Sequence, residues 1–394
     1  MKKKVLIGFG TRPEAVKMSP LILALRGSAD FEPIVVTTGQ HTEMLDQVLS
    51  VFDIKADHSL VLERSSNDLA ELNARLIELA SGVIAEVKPE VVCVQGDTST
   101  TFALALAAFF QKVKVVHLEA GLRTSDRFSP FPEEINRRLT TVLADLHLAP
   151  TKIAAHNLKL EGVASEKIIV TGNTVIDALL SVVARDLVLE TLEVSAVLNS
   201  GRPYVLVTMH RRESWGDPMF AVSQAIGALA RRYPTYDFVI PLHPNPVVQK
   251  AMRSGVEGQE NVIITAPVPY GDFCKLMSGS KVILTDSGGI QEEAPSLGKP
   301  VLVARDTTER PEAVLAGTAK LVGIDFENIV SSVSELLDDP VKYNEVAKIA
   351  NPFGDGSAAL RTISALRFLF SMSVKPTDFD ASSQTCVPGE PLAS

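Results

Sequence analysis

Acidic side chains follow short apolar runs of this 394-residue chain, at points where predicted strands end. Asp97 follows the run Val91–Val94, and Glu119 follows Val113–His117. A carboxylate directly after an apolar run is difficult to explain as a surface group, so Glu119 is the better candidate for acid–base catalysis. For Asp97 the alternative is a purely structural one, in which it caps the helix that begins beside it.

Further acidic and basic groups show the same placement. Glu133 and Glu134 open another predicted helix, where the helix dipole alone favours acidic residues. Carboxylates from three neighbouring loops nevertheless fit acid–base chemistry. In the second half, His210 and His243 each follow a predicted strand, and arginines beginning with Arg211 come directly after the first of them. This pattern favours an anion-binding or proton-transfer site, and neither histidine has metal-ligand spacing.

Paired glycines, Gly288 and Gly289, follow Ser287 at a predicted strand-to-helix turn. Backbone N–H groups at such a turn can approach a diphosphate, and the start of the helix adds partial positive charge. Glu293 would then accept hydroxyl protons of a ribose, and Arg310 would bind phosphate oxygens. The alternative is a tight turn required only for packing.

The loop after the first predicted strand begins like a dinucleotide-binding fingerprint, but Pro13 occupies the position of the third glycine. This substitution argues against an NAD site. Thr11 and Glu14 have the spacing of a capping box, which predicts a helix whose first N–H groups are free. Arg12 and Lys17 add positive charge at this helix start, although solvated charges on a capped helix are the alternative.

The elements that position these residues alternate between short apolar runs and helical stretches, which predicts an α/β fold with parallel sheets. We expect two Rossmann-like, doubly wound domains that face a central cleft, into which the carboxyl ends of the strands lead. The expected domains are residues 1–172 and 173–356. A C-terminal helix at about 357–372 would join the first domain, and 373–394 would form an extended or disordered tail.

Composition excludes several functional classes. A net charge of −9 argues against a general nucleic-acid binder, so an anionic ligand needs a local positive pocket. The three cysteines have no metal-ligand spacing and do not form a disulfide framework, which favours a reducing cytoplasm. No apolar window is long enough for a membrane-spanning helix, so we expect no membrane partner and no metal.

Eight motifs together resemble the non-hydrolysing UDP-N-acetylglucosamine 2-epimerases over about Lys3 to Leu366: GTRPEAVKMSP, GDTSTTFA, HLEAGLRT, PFPEEINRR, GNTVIDAL, HRRES, DSGGIQEEAPSLGKPV and RDTTERPEAV. The resemblance implies a glycosyltransferase-B-type pair of domains, with a final helix that crosses back to the first. It also implies a homodimer that interconverts UDP-N-acetylglucosamine and UDP-N-acetylmannosamine without a cofactor.

The resemblance also assigns site residues by matching motif position. The implied nucleotide-sugar contacts are Arg12, Lys17, Asp97, Glu119, His210, Phe273, Ser287, Gly288, Gly289, Glu293 and Arg310. The implied acid–base groups are Asp97, Glu119 and Glu133, with His210 close to the diphosphate. A second, regulatory UDP-N-acetylglucosamine would contact Gln40, Glu43, Arg64, Glu133, Arg211 and His243. The chain departs from the family in two places, with Glu43 where a glutamine is common and Val268 where some members have glutamine.

Elimination of UDP to a 2-acetamidoglucal, followed by re-addition, is the mechanism that we expect. Four alternatives remain open from the sequence. They are a glycosyltransferase that uses a UDP-sugar donor, a 2-epimerase of a related UDP-diacetamido sugar, a hydrolysing epimerase, and a sensor that binds nucleotide sugar without turnover.

Overall fold

The structure is a computed structural model that describes residues 1–39, 42–62, 66, 68–124, 126–211 and 215–383, without the side chains of 42–44 and 383. The chain forms two compact units. Unit 1 comprises Met1–Ala178 and Phe353–Phe379, and unit 2 comprises Leu179–Pro352 with the described residues after Phe379. No helix in these ranges is both long enough and apolar enough to cross a membrane.

The described strands of unit 1 form one parallel sheet in the order β3-β2-β1-β4-β5-β6-β7. They are β1 (Lys3–Phe9), β2 (Phe31–Thr37), β3 (His58–Ser59), β4 (Val91–Gln95), β5 (Lys114–Leu118), β6 (Leu146–Ala149) and β7 (Ile168–Val170). In the centre of the sheet, Ile7 of β1 lies opposite Val35 of β2 and Cys93 of β4. The middle of these central strands is apolar because helices cover both faces of a doubly wound sheet.

The helices of unit 1 are α1 (Arg12–Arg26), α2 (Thr42–Val51), α3 (Leu69–Val87), α4 (Ser99–Phe110), α5 (Glu133–Leu143), α6 (Lys152–Leu160), α7 (Thr174–Ala184) and α16 (Ala358–Leu369). Helices α1 to α6 lie between the strands of this unit, as the alternation of apolar runs and helical stretches predicts, and α7 and α16 follow its last strand. The predicted capping box of Thr11 and Glu14 is present at the start of α1. The chain leaves unit 1 within α7 and returns to it at Phe353, shortly before α16.

The described strands of unit 2 form a second parallel sheet in the order β10-β9-β8-β11-β12-β13. They are β8 (Tyr204–Thr208), β9 (Asp237–Pro241), β10 (Val262–Thr265), β11 (Val282–Thr285), β12 (Val301–Val303) and β13 (Ala319–Leu321). The helices are α8 (Leu192–Asn199), α9 (Asp217–Arg232), α10 (Pro246–Gly255), α11 (Tyr270–Gly279), α12 (Gly288–Glu293), α13 (Pro311–Ala316), α14 (Phe326–Asp338) and α15 (Pro340–Ala347). The predicted α/β class with two Rossmann-like sheets is confirmed.

Each sheet has a point at which the direction of strand succession reverses. In unit 1 the chain runs outward from β1 in one direction, and from β4 in the other. In unit 2 the same reversal occurs between β8 and β11. The loops that follow the two strands at such a point diverge and leave a crevice at the carboxyl edge, where α/β proteins bind their ligands. The loops after β1, β4, β8 and β11 are therefore where functional groups belong.

The segment after α16 lies along the edge of β7. The backbone N–H of Phe379 donates to the Val170 carbonyl at 2.7 Å, and the Val170 N–H donates to Asp378 Oδ1 at 2.8 Å. The buried Phe379 ring lies under the Arg361 guanidinium, 4.9 Å from its carbon. The segment therefore covers a strand edge that would otherwise present unpaired backbone groups. Residues 384–394, the remainder of the expected tail, lie outside the described residues.

Replacing Phe379 with alanine should lower the free energy of unfolding by about 3 kcal/mol, because it removes a buried ring from the β7 edge. Val374→Ala, in the same segment at 87% exposure, is the matched control and should change stability by less than about 0.5 kcal/mol. Urea unfolding of the full chain, followed by circular dichroism, measures both. Equal stabilities of the two variants would contradict packing of this segment on β7.

Candidate functional site

Glu119 lies directly after β5, and its side chain is only 6% exposed. The Lys17 ammonium on α1 lies 2.7 Å from Oε1 and 2.6 Å from Oε2. Gln95 Nε2 also donates to the carboxylate, as does Asn173 Nδ2 at 3.3 Å. The backbone of Glu119 has φ +60°, a left-handed conformation that is uncommon outside glycine. Such local strain is concentrated at functional sites, where surrounding contacts hold it in place.

Asp97, after β4, is held by α5. Its Oδ2 lies 2.8 Å from Arg137 Nε, and its backbone carbonyl accepts from Asn136 Nδ2 at 2.9 Å. The residue that caps α4 is Thr98, whose hydroxyl accepts from the Thr101 N–H at 3.1 Å. The structural interpretation of Asp97 as the helix cap is therefore wrong, because its carboxylate is engaged in an ion pair with Arg137 instead.

The two glutamates that open α5 differ in their surroundings. Glu134 is fully buried and accepts from the Thr124 N–H at 3.1 Å, from Arg138 at 2.9 Å and from Arg137 at 3.3 Å. Glu133 is half-buried, and its Oε2 has no hydrogen-bond partner among the described residues. Glu134 thus belongs to an arginine network, whereas one oxygen of Glu133 is buried outside that network.

Glu14 links the two loops at the reversal point of unit 1. Its Oε2 accepts from the N–H groups of Gly10 (3.1 Å) and Thr11 (2.8 Å), and its Oε1 accepts from the hydroxyls of Thr98 (2.6 Å) and Thr101 (3.2 Å). Burial raises the pKa of the Glu14 carboxyl, and these hydrogen bonds act against that rise. The carboxyl therefore fixes the position of α1, which carries Lys17, relative to the loop that carries Asp97.

His117 also contacts the loop after β4. Its Nε2 lies 2.7 Å from the Gly96 carbonyl. Burial lowers the pKa of His117 to about 4, so the ring is neutral at pH 7 and donates from Nε2. A Cβ atom at Gly96 would lie 3.7 Å from Glu119 Oε2, which shows how closely this turn approaches the carboxylate.

Asp286 organises the reversal point of unit 2. Its Oδ2 accepts from the backbone N–H groups of His210 (2.9 Å) and Arg211 (2.8 Å), and its Oδ1 lies 3.1 Å from His210 Nδ1. Burial acts to raise the pKa of Asp286, but the neighbouring His210 and the two backbone amides lower it overall. The buried carboxylate therefore holds the backbone of the loop after β8, and its Oδ1 lies close to the imidazole without a hydrogen-bond partner among the described residues.

Two guanidinium groups lie beside the paired glycines. A Cβ atom at Gly288 would lie 3.7 Å from Arg211 Nη2 and 4.0 Å from Arg310 Cζ. Arg310 is paired with Glu292, and Arg211 lies 3.1 Å from Glu309. Burial acts to raise the pKa of Glu309, but arginine contacts lower it to about 2. The glycine turn is thus bordered by two oriented cationic groups, which is the arrangement that binds phosphate oxygens.

The other predicted site residues have diverse positions. Arg12 begins α1, Phe273 lies half-buried on α11, His243 follows β9 on an exposed loop, Ser287 precedes α12, and Glu293 ends it. Gln40, Arg64 and the side chain of Glu43 lie outside the described residues. Val268, where the sequence departs from some family members, is buried. No group of three or more His, Cys, Asp or Glu in the described ranges is placed to hold a metal ion.

The family model of UDP-N-acetylglucosamine 2-epimerase matches residues 23–367. This chain belongs to that family. A UDP-N-acetylglucosamine 2-epimerase of Neisseria meningitidis is 49% identical over 366 residues, which cover 90% of this chain and 97% of that protein. A Neisseria meningitidis crystal structure bound to UDP-GlcNAc matches with a TM-score of 0.81 at 48% identity, over 92% of this chain and 99% of that one. A solved Listeria monocytogenes structure matches with a TM-score of 0.91 at 43% identity, over 96% and 100%.

Membership of the 2-epimerase family makes the chain an isomerase, and it confirms the family resemblance found in the motifs. Several groups that hold the site were not among the predicted residues. Asn173 and Asp286 follow strands, so the pattern that indicated Glu119 also applied to them. Arg137 and the bridging role of Glu14 had no comparable signal, because their partners are remote in the sequence.

Replacing Glu14 with alanine should lower the free energy of unfolding by about 3 kcal/mol, because buried amide and hydroxyl donors from two loops lose their acceptor. Glu78→Ala is the control, since Glu78 is exposed and forms only a surface pair with Arg75. Its expected change is below about 0.5 kcal/mol. Thermal unfolding of the two variants in parallel tests the difference, and an unchanged Glu14→Ala would refute the bridge.

Proposed function

We propose that this 2-epimerase interconverts UDP-N-acetylglucosamine and UDP-N-acetylmannosamine by reversible inversion at C2, without net hydrolysis. The observation that carries the proposal is the Glu119 carboxylate paired with Lys17 at the carboxyl end of β5. A relative crystallised with UDP-GlcNAc supports the class of substrate. No redox cofactor is required, because C2 has the same oxidation state in both epimers.

The proposed reaction is an elimination followed by re-addition. A base removes the C2 proton, the C1–O bond to UDP breaks, and the former C–H electron pair becomes the second bond between C1 and C2 of a 2-acetamidoglucal. Re-addition of UDP reverses these changes, with a proton delivered to the opposite face of C2. Because two faces are involved, two proton carriers are needed.

Unit 1 supplies suitable carriers. Glu119 is our choice for the base, because the adjacent Lys17 ammonium favours its carboxylate form. Glu133 is our choice for the second carrier, because its Oε2 is free of hydrogen bonds within the described ranges. Asp97, held by Arg137, is the third carboxylate and has a fixed orientation for a sugar hydroxyl or for proton relay.

Unit 2 supplies groups for the departing UDP. Its terminal phosphate gains charge as the C1–O bond breaks, and the Gly288–Gly289 turn with Arg211 and Arg310 offers donors to that charge. His210, whose backbone N–H is bound by Asp286, is a further donor for this charge. The loss of one such donor costs about 3 kcal/mol of barrier, or roughly a hundredfold in rate.

Incubation of the chain with UDP-N-acetylglucosamine in heavy water should place deuterium at C2 of both epimers, because the C2 proton exchanges with solvent during turnover. Glu119→Gln should reduce this exchange at least about a hundredfold. Proton NMR follows both quantities, with the exposed-site variant Glu78→Gln as control. Turnover without any deuterium at C2 would exclude the mechanism.

The same experiment separates the alternatives. A glycosyltransferase on this fold would need an acceptor and would release UDP, and a hydrolysing epimerase would release free N-acetylmannosamine. A sensor would bind the nucleotide sugar without exchange at C2. A panel of UDP-sugars would identify an enzyme specific for a diacetamido sugar. The acidic groups gathered at the strand ends of unit 1 favour epimerisation over these activities.

A second, regulatory UDP-N-acetylglucosamine remains part of the proposal, with contacts from Gln40, Glu43, Arg64, Glu133 and His243. Arg211 belonged to this predicted set as well. Its guanidinium lies beside Gly288, so we assign it to the diphosphate of the substrate instead.

This assignment predicts that Arg211→Met weakens the binding of UDP alone by about 10- to 100-fold, as does Arg310→Met, because each removes a charged hydrogen-bond donor. Isothermal titration calorimetry measures the affinities. Arg232→Met, which removes an exposed arginine paired with Asp338, should leave the affinity unchanged. If Arg211→Met binds UDP with undiminished affinity, the residue belongs to the regulatory set after all.

We further propose that the enzyme acts as a cytoplasmic homodimer. Exposed apolar residues on the packed pair α4 and α5 support a self-association surface: Phe109 (57% exposed), Phe110 (62%), Leu139 (43%) and Val142 (83%). Cys93 is a buried free thiol, which supports a reducing compartment.

A further inference from the structure

Asn173 occupies the short connection between β7 and α7 and has a buried side chain. Its Oδ1 accepts from the Val175 N–H at 3.1 Å, which satisfies a backbone donor at the start of α7. Its Nδ2 donates to Glu119 Oε1 at 3.3 Å. Its backbone N–H donates to the Phe353 carbonyl at 2.7 Å. One residue therefore contacts a helix start, the proposed base and a remote segment of the chain.

That remote segment is where the chain re-enters unit 1. The units change within α7 and again between Pro352 and Phe353, so both connections begin near Asn173. The contact between the connections is close, because a Cβ atom at Gly172 would lie 3.3 Å from Gly354 Cα.

A second contact lies one helical turn further on. Asp177 of α7 accepts from the N–H groups of Ala358 (3.2 Å) and Ala359 (2.8 Å), which start α16. Burial raises the pKa of Asp177 to about 6. The first turns of α7 and α16 are thus joined within unit 1, and Asn173 lies between this junction and Glu119.

We propose that Asn173 is a positioning residue for the epimerase reaction, which couples the two connections between the units to the orientation of Glu119. The proposal rests on the assignment of Glu119 as an acid–base group. If either connection moves, the backbone of Asn173 moves with it, and the side chain of Asn173 then shifts the Glu119 carboxylate. The Lys17 and Gln95 contacts to Glu119 come from other elements and do not provide this link.

Within the described residues, several charged or titratable groups lie near Glu119. Lys17 faces it from α1, and His117 of β5 is neutral because burial lowers its pKa to about 4. Asp97 and Arg123 each form an ion pair of their own. A new carboxylate at position 173 would lie beside Glu119, and its like charge would raise the pKa of Glu119.

Asn173→Ser and Asn173→Asp test the proposal, because both residues cap helices about as well as asparagine while neither retains the Nδ2 donor. We expect kcat of Asn173→Ser to fall about 10- to 100-fold with little change in KM, since a hydrogen bond to a charged group is lost. Asn173→Asp should lose at least as much at pH 7. The low-pH limb of its kcat profile should also shift to higher pH, because the base stays protonated to higher pH.

The control for capping alone is Asp325→Ser, which replaces the cap of α14 in the same way and should leave kcat unchanged. All variants should retain the wild-type melting temperature within about 3 °C. Wild-type kcat in both Asn173 variants, or a loss of kcat explained by a lower melting temperature, would overturn the proposal. A wild-type enzyme without C2 exchange would instead overturn the proposed function, and this inference with it.

Discussion

The ion pair between Lys17 and Glu119 is the contact on which the arrangement of unit 1 depends. Lys17 lies on α1 and Glu119 in the connection after β5, and they meet only because parallel strands end at one edge of the sheet. A partly buried carboxylate is stable as a charge only if a cation and hydrogen-bond donors remain fixed around it. The left-handed backbone of Glu119 requires the same fixation, because it is unfavourable by itself.

Each unit secures its reversal point with a buried carboxylate that accepts from backbone amides and joins two segments at that point. In unit 1, Glu14 accepts from Gly10 and Thr11 and reaches across to the loop after β4. In unit 2, Asp286 accepts from His210 and from the next residue. Loops usually move more than strands. Here a displacement of the loop would leave buried N–H donors without an acceptor, and such a loss is costly. The loops that carry Asp97 and His210 are therefore held in place by buried hydrogen bonds.

The strand ends were predictable because buried parallel strands are continuous apolar runs, and the residue that follows each run is easily read. This pattern placed Glu119, His210 and the Gly288 turn after strands, which is where the structure has them. The sequence could not distinguish Asp97 from Thr98 as the cap of α4, because the two adjacent residues have similar capping ability. In the structure Thr98 is the cap, while Asp97 binds Arg137, which is remote in the sequence. Short strands such as β3 and β13 carry too few residues for a pattern.

The net charge of −9 opposes the approach of a UDP-sugar at long range, so the attraction must come from oriented donors at short range. Arg310 and Arg211 do not act as unpaired charges, because Glu292 and Glu309 already bind them. This pairing reduces the electrostatic gain, but it fixes two flexible side chains in advance and lowers the entropy lost on binding. In the proposed function, the two guanidinium groups and the glycine amides would meet the phosphate in a defined geometry. A ligand whose charge shifts toward its phosphate during the reaction benefits most from such fixed donors, because they need no reorganisation when the bond breaks.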